Sequence, residues 1–158
     1  MALGKRRNGR EYALKILYSL YDQERPLEDI LADFWSNFRF SDDVLGEPEE
    51  SDDSAVSPEV KEFAEDIVKG VYEHLEDIDA VLREISKNWS LDRMARLDLS
   101  LMRLACYELM YVPSVPDRVV INEAVEIAKR YGTSDASAFL NGVLDKVAQQ
   151  VATRNKAE

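Results

Sequence analysis

Cysteine and histidine are the scarcest reactive residues here: the 158-residue chain holds one of each, Cys106 and His74. One cysteine excludes an internal disulfide framework and a multi-cysteine zinc site. One histidine leaves no second imidazole for a catalytic triad or a paired-histidine metal site. Cys106 lies among Leu104, Ala105, Leu109 and Met110, so it reads as a buried thiol rather than a nucleophile. His74 reads as a solvent-facing or helix-end residue. A Gly-rich phosphate loop, a Gly-x-Ser-x-Gly elbow, His-Glu-x-x-His and Cys-x-x-Cys are all missing. The expected catalytic, metal and cofactor inventory is therefore none. No apolar run approaches the roughly 20 residues that cross a bilayer. Arg10, Glu11 and Lys15 interrupt any signal-peptide core behind the basic N-terminus. The expected compartment is the cytoplasm, without membrane contact. No stretch alternates at period two for long enough to make a strand, and no fixed-period repeat is present.

What is present suits one globular all-α domain over residues 1–158. Hydrophobic residues make up 46% of the chain, and about 70% of the unfolded surface of a chain this long can be buried. The net charge of −11 taken alone argues against nucleic acid. Its distribution argues otherwise. Residues 1–15 hold Lys5, Arg6, Arg7, Arg10 and Lys15 against Glu11 alone, a local +4. Residues 42–53 hold seven carboxylates and no base, a local −7. Screening over a Debye length of about 8 Å makes such patches matter more than the total.

Periodicity places about seven helices in two small bundles. Residues 1–9, with Gly4 and Gly9, read as a flexible basic arm, and a helix starts at Arg10 with Ala13, Leu14, Leu17, Tyr18 and Tyr21 as its apolar stripe. Cations in its first turn are opposed by the helix dipole, which suggests an anionic partner. After Pro26, Leu27, Ile30, Leu31, Phe34, Trp35 and Phe38 form a second stripe. Residues 41–57 contain the acidic run with one glycine, one proline and serines, and read as a mobile insertion. Ser57-Pro58-Glu59 starts a third helix with Phe63, Ile67, Val71, Tyr72 and Leu75 inward. Asp77 to Lys87 forms a fourth, with Ile78, Val81, Leu82 and Ile85 inward. Ser90 caps a helix from Leu91 to Tyr111 that is apolar nearly all round and so belongs at a core. On it, Glu108 needs a partner if buried.

Pro116 to Val151 reads as a helical hairpin. Val120, Ile121, Ala124, Val125, Ala128 and Tyr131 make one apolar face, and Leu140, Val143, Leu144, Val147, Ala148 and Val151 the other. Gly132 suits a left-handed cap, and Thr133, Ser134 or Asp135 can cap the second helix. Asn122, Glu123, Asn141 and Gly142 interrupt good helical patterns. They mean either close packing at Gly142 with side-chain hydrogen bonds at the asparagines, or a recognition surface at the turn. Residues 152–158 are expected to form a C-terminal tail beyond the second helix.

Three stretches are similar to one family. They are Arg6-Arg7 with the helix Arg10 to Tyr18, then Asn88 to Leu109 (NWSLDRMARLDLSLMRLACYEL), then Val115 to Ala148 with INEAVEIAK and FLNGVLDK. Together they resemble the NusB family of transcription antitermination factors. The resemblance runs from Lys5 to Ala148 apart from the acidic insertion. It implies an all-helical fold of two bundles and binding of boxA-type single-stranded RNA in nascent ribosomal RNA transcripts. It implies a heterodimer with the tenth small-subunit ribosomal protein, acting as NusE, and entry into the RNA polymerase antitermination complex with other Nus factors. The family's arginine-rich N-terminus contacts RNA, and Lys5, Arg6, Arg7 and Arg10 occupy those positions. Asn8 and Gly9 stand where another arginine and an alanine are common, which weakens the expected grip. Tyr18 is either core or RNA-facing, and the stripe favours core. Phe139 matches an aromatic near the RNA, or is a first-turn core residue. Asp135 matches an acidic position near the joint protein–RNA surface, and Lys129 and Arg130 extend the basic track towards the turn.

The implied mechanism is recruitment without chemistry: RNA across the basic segment and the Gly132–Phe139 turn. Four neutralised phosphates would set a slope of log affinity on log salt near about −3. The acidic insertion is expected to compete with RNA for the basic N-terminus, so deleting residues 42–56 should tighten binding. Two alternatives remain open. One is a protein-only homodimeric scaffold. The other is a stand-alone domain like the one preceding a ribosomal RNA cytosine methyltransferase, whose cofactor-binding domain these 158 residues do not contain.

Overall fold

The protein is described by a computed structural model covering residues 3–20, 24–37, 56–87, 90–132 and 134–157. Among the described residues there are seven α-helices, one 3-10 turn and no strand. They are α1 Leu3–Leu20, α2 Leu27–Asn37, α3 Pro58–Glu73, α4 Leu75–Ile85, α5 Arg96–Tyr111, α6 Asp117–Tyr131 and α7 Ser134–Ala157, with the 3-10 turn at Leu91–Arg93 before α5. The chain divides into two compact units, Met1–Lys69 and Gly70–Glu158. The acidic insertion, Tyr21, Phe38, Trp89 and Thr133 lie outside the described residues, apart from Val56 and Ser57 at the insertion's end.

In the first unit α1 begins seven residues before the expected start at Arg10. Gly4 and Gly9 do not interrupt it. Its burial also departs from a simple stripe. Tyr12, Ala13, Leu14 and Ile16 are buried, and so are Arg10, Glu11 and Lys15, while Leu17 and Tyr18 are half-buried. The Lys15 ammonium lies 5.6 Å from the centroid of the Tyr12 ring, so its charge faces an aromatic π cloud one turn back. Ile30 and Leu31 anchor α2, and its Trp35 packs on Tyr12 at 5.6 Å between centroids and donates from Nε1 to Glu65 Oε1 at 2.9 Å. Arg25 pairs with Asp33 across the start of α2. The start of α3 follows its sequence signal. Ser57 Oγ accepts from the Val60 N–H at 3.3 Å, and Pro58 stands at the first helical position, where a missing N–H costs nothing. Its core face is Val60, Ala64, Ile67, Val68 and Val71. Tyr72 was expected inward but is 53% exposed. It follows Val71 directly, about 100° further round the helix, and so leaves the face.

In the second unit α5 packs against α4, α6 and α7, and α6 runs along α7. Leu99, Leu101, Met102, Leu104, Ala105, Cys106 and Leu109 bury most of the α5 circumference. The helix expected from Leu91 is broken, however. Ser90 Oγ accepts from Asp92 N–H and caps only the 3-10 turn, after which Met94 and Ala95 are extended, at ψ 144° and 138°. Two extended residues let Leu91 and Met94 both reach the interior before α5 starts. Arg103 forks onto Asp79 of α4, with Nε to Oδ1 and Nη2 to Oδ2 both at 2.9 Å. Glu108 and Glu123 are buried, and neither is without a partner. Tyr107 lies against Gly70, where an added Cβ would come within 2.1 Å of its ring. His74 occupies the N-cap of α4 and stacks on Tyr111 at 3.9 Å.

Between α6 and α7, Gly132 is extended at φ −129° and ψ −158°, so the left-handed cap does not form. A side chain there would be crowded rather than conformationally strained. A Cβ there would sit 3.0 Å from the Ala128 carbonyl oxygen, which already accepts from Gly132 N–H at 2.8 Å.

Candidate nucleic-acid interface

The cationic residues separate into two groups, one in each unit. The first is the start of α1. Lys5 and Arg6 are exposed and Arg7 is half-buried, and the first turn holds no acidic residue. Because the helix starts at Leu3, these cations cluster at its N-terminal end, where unpaired backbone N–H groups and the positive end of the dipole also favour an anion. Lys5 Nζ lies 3.6 Å from Glu59 Oε2 with both side chains about half exposed. Pairs of this kind contribute little stability and yield readily to a phosphate.

Arg10 does not belong to this surface. It is 1% exposed, with its guanidinium 5.6 Å from the centroid of the Phe63 ring. The expected track of four cations is thus Lys5, Arg6 and Arg7, with Arg10 turned inward as a packing residue. Tyr18 is half-buried, between the two roles expected for it.

The second group surrounds the turn between α6 and α7. Lys129 and Arg130 are exposed in the last turn of α6. Lys129 Nζ reaches Glu126 Oε1 at 3.3 Å, and the Arg130 guanidinium lies 5.5 Å from the Tyr131 ring centroid. Their position also suits the negative end of the α6 dipole, so part of their role is structural. Asp135 is exposed in the first turn of α7, and Phe139 is half-buried one turn later. Asn122, Asn141 and Gly142 are exposed and Glu123 is buried.

Close packing does not explain Gly142: nothing lies within 4 Å of a Cβ built there. Gly142→Ala should therefore stabilise the chain by about 1 kcal/mol through helix propensity alone. Urea unfolding followed by circular dichroism checks this, and a loss of stability would mean the position is crowded.

A groove of about 510 Å³ lies between α2 and α3, and no local sequence pattern reveals it because its lining comes from helices distant in sequence. Leu31 and Trp35 face it, and Lys61 and Lys69 are offset by Glu28 and Glu65, so it carries no charge preference for phosphate.

No group of three or more His, Cys, Asp or Glu could hold a metal ion among the described residues. Burial pushes the Cys106 thiol up to about 12, with Asp79 adding to the effect. Iodoacetamide at pH 7.5 should leave Cys106 unmodified in the folded protein and alkylate it in guanidinium; rapid labelling of the native state would contradict the burial. The same shift gives a pH dependence. Between an ordinary value of 9.0 and about 12 the folded thiol keeps a proton that the unfolded one has lost. Its contribution is complete below pH 9 and is lost as pH rises through that window. Tyr111, raised by burial and then by Asp77, acts in the same direction.

The sequence profile described as the NusB family matches residues 7–149. The transcription antitermination protein NusB of Syntrophotalea carbinolica is 57% identical over 149 residues, covering 94% of this chain and 95% of that protein. The protein of the same name from Geobacter sulfurreducens is 42% identical, covering 92% and 95%. Among solved structures, T. maritima NusB superposes with a TM-score of 0.75 at 33% identity, covering 96% of this chain and 95% of that one. A chain from a crystal structure of the antitermination factors NusB and NusE in complex with double-stranded RNA superposes with a TM-score of 0.72, covering 94% and 99%; at 20% identity it speaks to the fold alone. No described helix is long and apolar enough to cross a membrane.

Proposed function

The chain belongs to the NusB family, and on that premise we propose that it is a transcription antitermination factor. It binds boxA-type RNA of nascent ribosomal RNA transcripts together with the ribosomal protein NusE. The pair then joins RNA polymerase and other Nus factors in the cytoplasm. Its part is recruitment without chemistry: phosphates meet Lys5, Arg6 and Arg7 at the start of α1. Lys129, Arg130 and Phe139 form a second contact at the hairpin, and Asp135 faces the partner protein.

The family membership carries this reading. The exposed cations at the start of α1 support the assignment of the RNA face, because they persist on a chain with a net charge of −11. Phosphate contacts supply position, and stacking on the accessible part of half-buried Phe139 adds up to about 1–3 kcal/mol per base.

Fluorescence anisotropy tests it, with a boxA-like strand, a scrambled strand and a duplex, each titrated with the protein alone and premixed with NusE. Sequence-selective binding strengthened by NusE is the expected result. Equal affinity for all three RNAs, with and without NusE, would reject the reading.

A further inference from the structure

We infer that Gly9 is a positioning residue: the contact of its bare Cα with the Phe63 ring holds the first turns of α1 as a rigid strip that presents Lys5, Arg6 and Arg7. This rests on the RNA-binding reading and adds how the cations are held. An added Cβ at Gly9 would lie 2.5 Å from Phe63 Cδ1 and 3.2 Å from Cε1, so any side chain there must push α1 and the ring apart. Arg10, the next residue, is 1% exposed with its guanidinium 5.6 Å from the centroid of the same ring. One turn earlier, Lys5 pairs with Glu59. Lys5 with Glu59 and Gly9 with Phe63 share an offset of 54 residues, so α1 and α3 run in the same direction through these contacts.

Local preference opposes this stretch of helix. It carries two glycines and several cations near its N-terminus and no acidic residue in its first turn. Docking on α3 is what orders it. Cations ordered before RNA arrives spare the complex the entropy of ordering them on binding.

The two explanations of Gly9 differ in sign. By helix propensity, Gly9→Ala should firm up α1. By the Phe63 contact, it should loosen the first turns. Because no charge changes, loosening costs affinity without altering the number of phosphates neutralised. Removing a cation does alter that number.

Wild type, Gly9→Ala, Phe63→Ala and the double variant are compared by anisotropy with boxA-like RNA across a salt series, and by amide hydrogen exchange of residues 3–10. Gly9→Ala is expected to bind about tenfold more weakly, with an unchanged salt slope and faster exchange. In the Phe63→Ala background, where no ring opposes the added Cβ, Gly9→Ala should cost no affinity and should not speed exchange. Equal affinity of wild type and Gly9→Ala, unchanged exchange, or the same loss in both backgrounds would each overturn the inference while leaving the RNA reading intact. If the wild type does not distinguish boxA-like from scrambled RNA, the RNA reading itself fails and the inference goes with it.

Discussion

Arg6→Glu with Arg7→Glu lowers the affinity for boxA-like RNA by about a hundredfold at moderate salt and flattens its salt dependence. The magnitude follows from counterion release. Each phosphate neutralised on a single strand contributes about −0.7 to the slope of log affinity on log salt. With Arg10 buried, the start of α1 offers Lys5, Arg6 and Arg7, and its slope is about −2 rather than about −3. Reversing two of the three leaves about −0.7 and adds repulsion. Arg10→Glu behaves differently. It places a carboxylate against Phe63 in a site that is 1% exposed, so it is read as lost stability before it is read as lost affinity. If the Arg6/Arg7 reversal left both the affinity and the slope unchanged, the start of α1 would not be the RNA face.

Asp79→Ala or Arg103→Ala costs about 3 kcal/mol of folding stability, a large part of the 5–15 kcal/mol typical of a domain. The pair joins α4 to α5 by two parallel bonds of 2.9 Å, with the side chains 10% and 20% exposed. Removing one partner strands the other charge where water reaches it poorly. Arg103→Lys should recover only part of the loss, because an ammonium cannot match both carboxylate oxygens as the guanidinium fork does. Asp79→Leu with Arg103→Met should cost much less than either alanine variant, since neither charge is left behind. Urea unfolding of the single and double variants gives the coupling directly. Additive single losses would show that the two side chains act independently.

These two experiments probe residues whose types are plain in the sequence and whose environments are not. Arg6, Arg7 and Arg10 stand together in one basic run. Helical spacing alone does not separate them, because Arg10 is buried with its guanidinium near the ring of Phe63, more than fifty residues further on. Lys15 and Glu11 resemble solvent-facing charges by residue type, yet both are buried and both have partners. Tyr72 is the opposite case: an aromatic beside a good apolar face, yet 53% exposed. Gly132 ends α6 as its residue type suggests, yet in an extended rather than a left-handed conformation and with its Cα crowded against Ala128.

Local chemistry was legible wherever the deciding neighbours are near in the chain. Ser57-Pro58 starts α3, Pro116 starts α6, and the apolar periods of α4, α6 and α7 mark their buried faces, because caps and helical faces depend on residues within one or two turns. The nearly uniform apolarity of α5 likewise foretold its place among α4, α6 and α7. By itself, the sequence determined the helical class, the main helices, the buried thiol at Cys106 and the family. Tertiary structure alone decided which cations face solvent, which glycine is needed for contact and which stands in the open, and where the helix before α5 breaks. Those outcomes depend on side chains from other helices, and the desolvation or collision they impose outweighs what each residue would prefer in isolation.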